Sequence, residues 1–402
     1  MTDSNSKSLE ELNSLIGSAV ALIQGFEESL KNVVDGNSEL GPSADKWSLS
    51  SSQEDREKPL DCLALARDSA ALVKAHSTKI SLFIITEPFT PSAICTVLRQ
   101  LIQGPVPALV SAVQLCHADL YTKLIRRDLA WRCGRVLKEL RQLIQKIPED
   151  GKVLPQAKRD GLTGPKAEKG SIMTTGLLWG MCDEVVNFAN LGAVGHLVQR
   201  AEHFRETLKD VMEELKEWSE ELDEDNEEDE DDDEGGDDDE GDDNDEAVQG
   251  LAGDMSNTHI STQAMIDSLM NSHTTIPRGD PEKIRERLDS TMRRLRLIVL
   301  LYQALIKRRL KTLPKLPLAS QDETVVVSRL DEVMPLLGRM ADRFNSLAVA
   351  FYELDSPEIN GLMDQCFFDA FAVSELLAKP WDGQQDEFTD WVAKFQVEIK
   401  KN

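Results

Sequence analysis

No glycine-rich phosphate loop, no GxSxG elbow and no HExxH helix occurs in this 402-residue sequence, so the commonest signatures of nucleotide, serine-hydrolase and zinc-hydrolase chemistry are missing. Cysteine is sparse as well. Cys62, Cys95, Cys116, Cys133, Cys182 and Cys366 are scattered without a CxxC pair, which reads as buried thiols in a reducing compartment rather than a zinc site or a disulfide framework. His196 and His203 lie seven residues apart on one helix face but lack a carboxylate or thiol at ligand spacing, so they are expected at the surface or its boundary. Long apolar runs are absent: stretches such as Leu297 to Leu301 are too short to span a bilayer. The first thirty residues lack the basic start and continuous apolar core of a secretory signal. β-Branched runs are confined to Thr324 to Val327. The expectation is a cytoplasmic and nuclear protein with no cofactor, no metal, no membrane segment and no catalytic residues.

What the chain has is charge. Residues Glu221 to Glu246 hold twenty acidic side chains and no basic one, against a net charge of −27 for the whole chain. A block of this kind repels itself and has no apolar stripe to bury, so it is expected to be a disordered, dispensable tether. It lacks the spaced D-x-D-x-D-G ligand pattern of a calcium loop.

The chain also has long helical periodicity. Apolar residues recur at spacings of three and four along Leu9 to Val33, Leu60 to Ile85, Ser92 to His117 with a break at Pro105, Leu129 to Ile147, Thr174 to Ala189 and Leu197 to Leu222. Beyond the acidic run the pattern resumes over Ile284 to Leu310, Val326 to Leu354, Ser356 to Ala378 and Phe388 to Ile399. Asp119 and Ser356 are placed as N-caps, and Pro335 marks a kink or a helix start. Short connections between long helices predict an all-α fold of two antiparallel bundles joined by a disordered acidic linker. The domains are set at 1–220 for a five- or six-helix bundle, 221–280 for the linker and 281–402 for a four-helix bundle.

Two helices carry basic faces. Lys283 to Lys311 holds ten Lys or Arg against Glu286 and Asp289, and Asp119 to Lys146 holds eight against three acids. With the strongly negative whole and no interleaved exposed aromatics, direct nucleic-acid binding is not expected. Arg293, Arg294, Arg296, Lys307, Arg308 and Arg309 are instead the candidate contacts to an acidic protein partner or to the acidic run itself.

Three features together resemble the cyclin-D-interacting (GCIP) family. They are the stretch Thr175-Gly176-Leu177-Leu178-Trp179-Gly180-Met181-Cys182-Asp183, the long helix and acidic insertion that follow it, and the later stretch Asp331-Glu332-Val333-Met334-Pro335-Leu336-Leu337. The resemblance implies an all-helical, two-domain, non-enzymatic regulator that binds D-type cyclins or helix-loop-helix proteins in cell-cycle or transcriptional control. It places Trp179 and Cys182 on a helix of the first bundle and Pro335 on one of the second, and all three are expected as structural core residues. From its apolar neighbours Leu178, Val185 and Val186, Trp179 is expected to be a core anchor. Alternative readings are a vinculin- or catenin-like structural adaptor and an acidic chaperone for basic proteins.

Overall fold

A computed structural model of the chain describes residues 2–36, 61–161, 169–228, 276, 279–317, 324–381 and 383–401. Among these residues the secondary structure is helical apart from one isolated bridge between Gly161 and Lys169. The expected all-α class holds. Most of the acidic run lies outside the described residues, as does most of the loop after Gly36, so the tether's expected disorder is not addressed there. Backbone helix continues past the expected boundary at residue 220, to Glu228.

The helices are α1 Thr2–Val34, α2 Cys62–Ile85, α3 Pro91–Gln103, α4 Pro105–Leu115, α5 Ala118–Tyr121, α6 Lys123–Ile144, α7 Gln156–Asp160 and α8 Ser171–Glu228. They continue with α9 Ile284–Arg308, α10 Thr324–Tyr352, α11 Ser356–Ala378 and α12 Glu387–Glu398. The chain forms two compact units, and neither is a continuous segment. The first takes Met1–Arg200 with Leu310–Met334, the second Ala201–Arg309 with Pro335–Asn402.

In the first unit α1 packs chiefly on α6 and α3, and α2 on α4 and α3. The apolar stripe of α6, with Leu129, Cys133, Val136, Leu140 and Leu143, is fully removed from solvent, as its spacing requires. Pro91–Leu115 is long and apolar enough by composition to cross a membrane. In the fold it is two helices interrupted at Gly104 and Pro105, with Ile94, Leu98, Leu101 and Leu109 in the unit's core. The start of α8 is tied to α2 by Thr175 donating to Ser81 Oγ at 2.9 Å and by Lys74 pairing with Asp183 at 2.7 Å. Arg135 of α6 pairs with Glu184 of α8 at 2.7 Å. A side chain at Gly170 would strike the backbone of Asp160 and Gly161, so only glycine permits this close approach.

Two expected caps sit elsewhere. Asp119 lies inside α5, and α6 begins instead at Thr122, whose hydroxyl accepts from the N–H of Ile125. Asp355, one residue before Ser356, caps α11 by accepting from Glu358 N–H at 3.0 Å. Both displacements have the same cause: the cap belongs to the residue whose oxygen reaches the N2 or N3 amide, and neighbouring polar residues look alike in sequence. Helix α8 is broken at Gly192, whose φ of 74° and ψ of 167° are accessible essentially to glycine alone. In α10, by contrast, Pro335 is accommodated within a continuous helix.

In the second unit α11 packs on α12 and α9, and α9 on α12. The buried stripe of α9 comprises Leu288, Met292, Leu295, Ile298, Tyr302 and Leu305, and the Tyr302 hydroxyl donates to the Leu337 carbonyl at 2.6 Å. Trp218 sits edge-on to Tyr352 at 5.4 Å, and the Tyr352 hydroxyl donates to Glu214 at 2.8 Å.

Candidate partner-binding surfaces

The six basic residues singled out in and just after α9 do not act as one patch. Arg293, Arg296, Lys307 and Arg308 are exposed, and Arg294 is half-buried. Arg293 approaches Glu398 at 3.7 Å and Arg308 approaches Glu387 at 3.6 Å, both carboxylates lying on or beside α12. Arg296 and Lys307 have no ion-pair partner among the described residues.

Arg309 corrects the expectation outright. It is only 1% exposed and all five of its N–H groups are used. Nε donates to the Leu377 carbonyl at 2.7 Å and Nη2 to the Ala378 carbonyl at 2.6 Å. Both Nη atoms then grip the Asp386 carboxylate, at 2.8 and 2.9 Å, and Nη1 also reaches the Arg308 carbonyl. The guanidinium lies 4.4 Å from the Phe388 ring centroid, and the Trp381 indole donates to the Arg309 carbonyl at 2.8 Å. Asp386 in turn caps α12 through a capping box with Thr389. The hydrogen bonds from Arg309 hold the Asp386 carboxyl far below the usual carboxylate range. Arg309 therefore locks the end of α11 to the start of α12 and is not available to a partner.

The tryptophan of the resemblance motif in the first unit is turned outward. Trp179 is 38% exposed, against its expected role as a core anchor. The buried stripe of this part of α8 runs through Leu178, Cys182, Val185 and Phe188, and Trp179 stands one residue, about 100°, away from it. Ile172, 51% exposed and seven residues before Trp179, shares its face; Met173, 55% exposed, is also in solvent about a third of a turn away from Trp179, and open space adjoins Gly176 and Gly180. On α6, Trp131 is also exposed, with the Arg135 guanidinium 4.6 Å from its ring centroid. Cys182 is fully buried, and burial pushes its thiol up to about 12. Pro335 corrects the expectation a second time: it is exposed on α10 rather than part of the core.

His196, expected at the surface, is 6% exposed and meets Asp128 of α6 at 2.5 Å, with its ring edge-on to Phe188. Burial alone would raise Asp128, but the His196 ring and the Arg200 and Arg132 guanidiniums outweigh it and hold the carboxyl below its ordinary value. This pair ties α6 to α8. No spacing rule would have found it, because its members are distant in sequence. His203 is exposed. Among the described residues, no three His, Cys, Asp or Glu side chains converge as metal ligands would.

The segment that carries the outward-facing tryptophan is also the one that compares with known proteins. The family described as Grap2 and cyclin-D-interacting, N-terminal, matches residues 66–221. Over these residues the chain is similar to the GCIP family. The matched segment runs from α2 into α8 and includes Ile172, Met173, Trp179 and the Asp128–His196 tie. An uncharacterized protein of Schizosaccharomyces pombe, C22E12.18, is 26% identical over 158 residues, covering 39% of this chain and 44% of the yeast protein. The match thus spans less than half of that relative's length.

Proposed function

We propose that this chain is a non-enzymatic interaction protein that binds a helical regulatory partner, a D-type cyclin or a helix-loop-helix protein, in cell-cycle or transcriptional control in the cytoplasm and nucleus. The observation that carries the reading is the solvent-facing pair Ile172 and Trp179 on one helix face, with exposed Met173 beside it, within the segment that matches the family. Large apolar side chains sharing one exposed helix face are what a groove or helix of a partner covers. Tryptophan is also the residue type most enriched among interface anchors. The family's description names cyclin D, which makes a D-type cyclin the first partner to test.

The test is titration of the purified full chain with a D-type cyclin and, separately, with a helix-loop-helix domain, using calorimetry. Saturable binding to one of them is expected, with Trp179→Arg weakening it at least about tenfold. Because Trp179 is exposed, that variant should keep its melting temperature. Absence of binding to both partners would remove the reading. Binding indifferent to Trp179→Arg would move the contact off this face.

A further inference from the structure

The geometry points to a second binding site, in the second unit and outside the segment that matches the family: the groove between α9 and α12 takes an acidic amphipathic helix of a partner protein, apolar face inward. This inference does not depend on the cyclin reading, because no residue of the groove lies within residues 66–221.

The groove has a volume of 430 Å³ and is lined by Leu300, Gln303, Ala304, Lys307, Arg308, Glu387, Phe388 and Trp391. Its apolar centre is Leu300, left 50% exposed on α9, facing the aromatic row of α12. In that row Trp391 stacks on Phe388 and on Phe395, each at 5.5 Å. Arg296, Leu300, Gln303 and Lys307 follow at spacings of four, three and four, so they share the outer face of α9. An apolar contact is thus bracketed by two exposed cations with no ion-pair partner among the described residues. Glu387, in the lining, and Glu398, at the other end of α12, already face Arg308 and Arg293. The positive charge left over lies on Arg296 and Lys307, on either side of Leu300. A ligand complementary to this arrangement carries acids spaced to reach both cations and a bulky apolar residue between them, the pattern of an acidic amphipathic helix laid in a groove.

The same chemistry argues against the chain's own acidic run as the occupant. From Asp223 to Glu246 that run contains no apolar residue. It can satisfy Arg296 and Lys307 but offers nothing to Leu300 and Trp391.

The experiment is fluorescence anisotropy of the full chain with a fluorescein-labelled helical peptide of about four turns. One face of the peptide carries Glu and Asp, the other a Leu and a Phe one turn apart. A second peptide of equal charge replaces the two apolar residues with Ser. The first peptide is expected to bind at least about tenfold tighter than the second, and Leu300→Glu and Lys307→Glu should each weaken it about tenfold. Both substitutions are at exposed positions, and Arg296→Glu supplies an independent third variant should either one unfold. Equal binding of the two peptides, or binding untouched by Leu300→Glu and Arg296→Glu, would overturn the proposal. Binding that appears only after excision of residues 221–246 would assign the groove to the chain's own acidic run instead. A dimer in sedimentation that Leu300→Glu dissociates would assign it to a second copy.

Discussion

The first unit leaves a tryptophan in solvent while the second buries an arginine. Trp179 is 38% exposed on α8 and Arg309 is 1% exposed after α9. Hydrophobicity scales rank these two side chains in the opposite order. The difference lies in what each backbone position faces. Arg309 follows Leu295, Ile298, Tyr302 and Leu305 at spacings of three and four, so it is in register with a buried stripe and must be accommodated inside. It is tolerated there because three carbonyls and a carboxylate converge to meet its planar fork. Trp179 is out of register with its own stripe and stays outside. Register decides burial, and partner geometry then decides whether a polar group survives it.

The hardest blow to this contrast falls on Asp386. Asp386→Ala leaves the Arg309 charge buried without its counter-ion and also removes the α12 cap, so it should cost about 3–5 kcal/mol. Urea unfolding followed by circular dichroism measures it. Arg309→Met should cost less, since Asp386, 39% exposed at its side chain, can be rehydrated. A loss smaller for Asp386→Ala than for Arg309→Met would show that the guanidinium is held by the carbonyls alone.

A second comparison uses adjacent residues of α8. Leu178, fully buried, should lose about 2–5 kcal/mol on truncation to alanine. Trp179→Ala, despite removing far more volume, should stay within about 0.5 kcal/mol of the parent. Chemical denaturation of the two variants side by side checks it. Equal losses would mean that the tryptophan's covered part, rather than its exposed part, sets its energetics.

The fold class and nearly every helix were legible in the sequence, because stripes such as Leu129 to Leu143 keep their period over several turns and Pro105 breaks the pattern where the helix breaks. Arg309 and Trp179 were legible too, but only by register: composition draws the eye to a basic cluster and to an apolar neighbourhood, and each is wrong by about one residue of helix rotation. The discontinuous units were not legible. Nothing local in Leu310–Met334 says that it completes the first unit. The Asp128–His196 tie, the aromatic row beneath Leu300 and the burial of Asp331 likewise join segments that periodicity treats separately. Such sites are set by tertiary packing.

Asp331 extends the comparison to a carboxylate that has no guanidinium. It lies in the first unit and accepts the N–H of Lys123 at the start of α6 at 2.9 Å, much as Asp386 serves α12. Burial pushes its carboxyl up to about 6, with the Lys123 amide and charge opposing. Its folded value is therefore above the unfolded value of about 3.9, so between about pH 4 and pH 6 the folded state binds more protons than the unfolded state. In that window Asp331 makes the protein progressively less stable as pH rises, and the penalty stays constant above about pH 6. Asp331→Asn keeps the oxygen that receives the Lys123 N–H but removes the titration. The variant should match the parent near pH 4 and exceed it at pH 7 by about 1–2 kcal/mol, a figure reduced to allow for solvent screening of a partly exposed group. Denaturation curves of both proteins at several pH values check this, since every other carboxylate cancels in the difference. Asp386 shows the opposite sign: its depressed carboxyl makes its contribution to stability disappear as pH falls toward strongly acid conditions. Parallel curves for Asp331→Asn and the parent would show that solvent reaches Asp331 well enough to leave its carboxyl untroubled by burial.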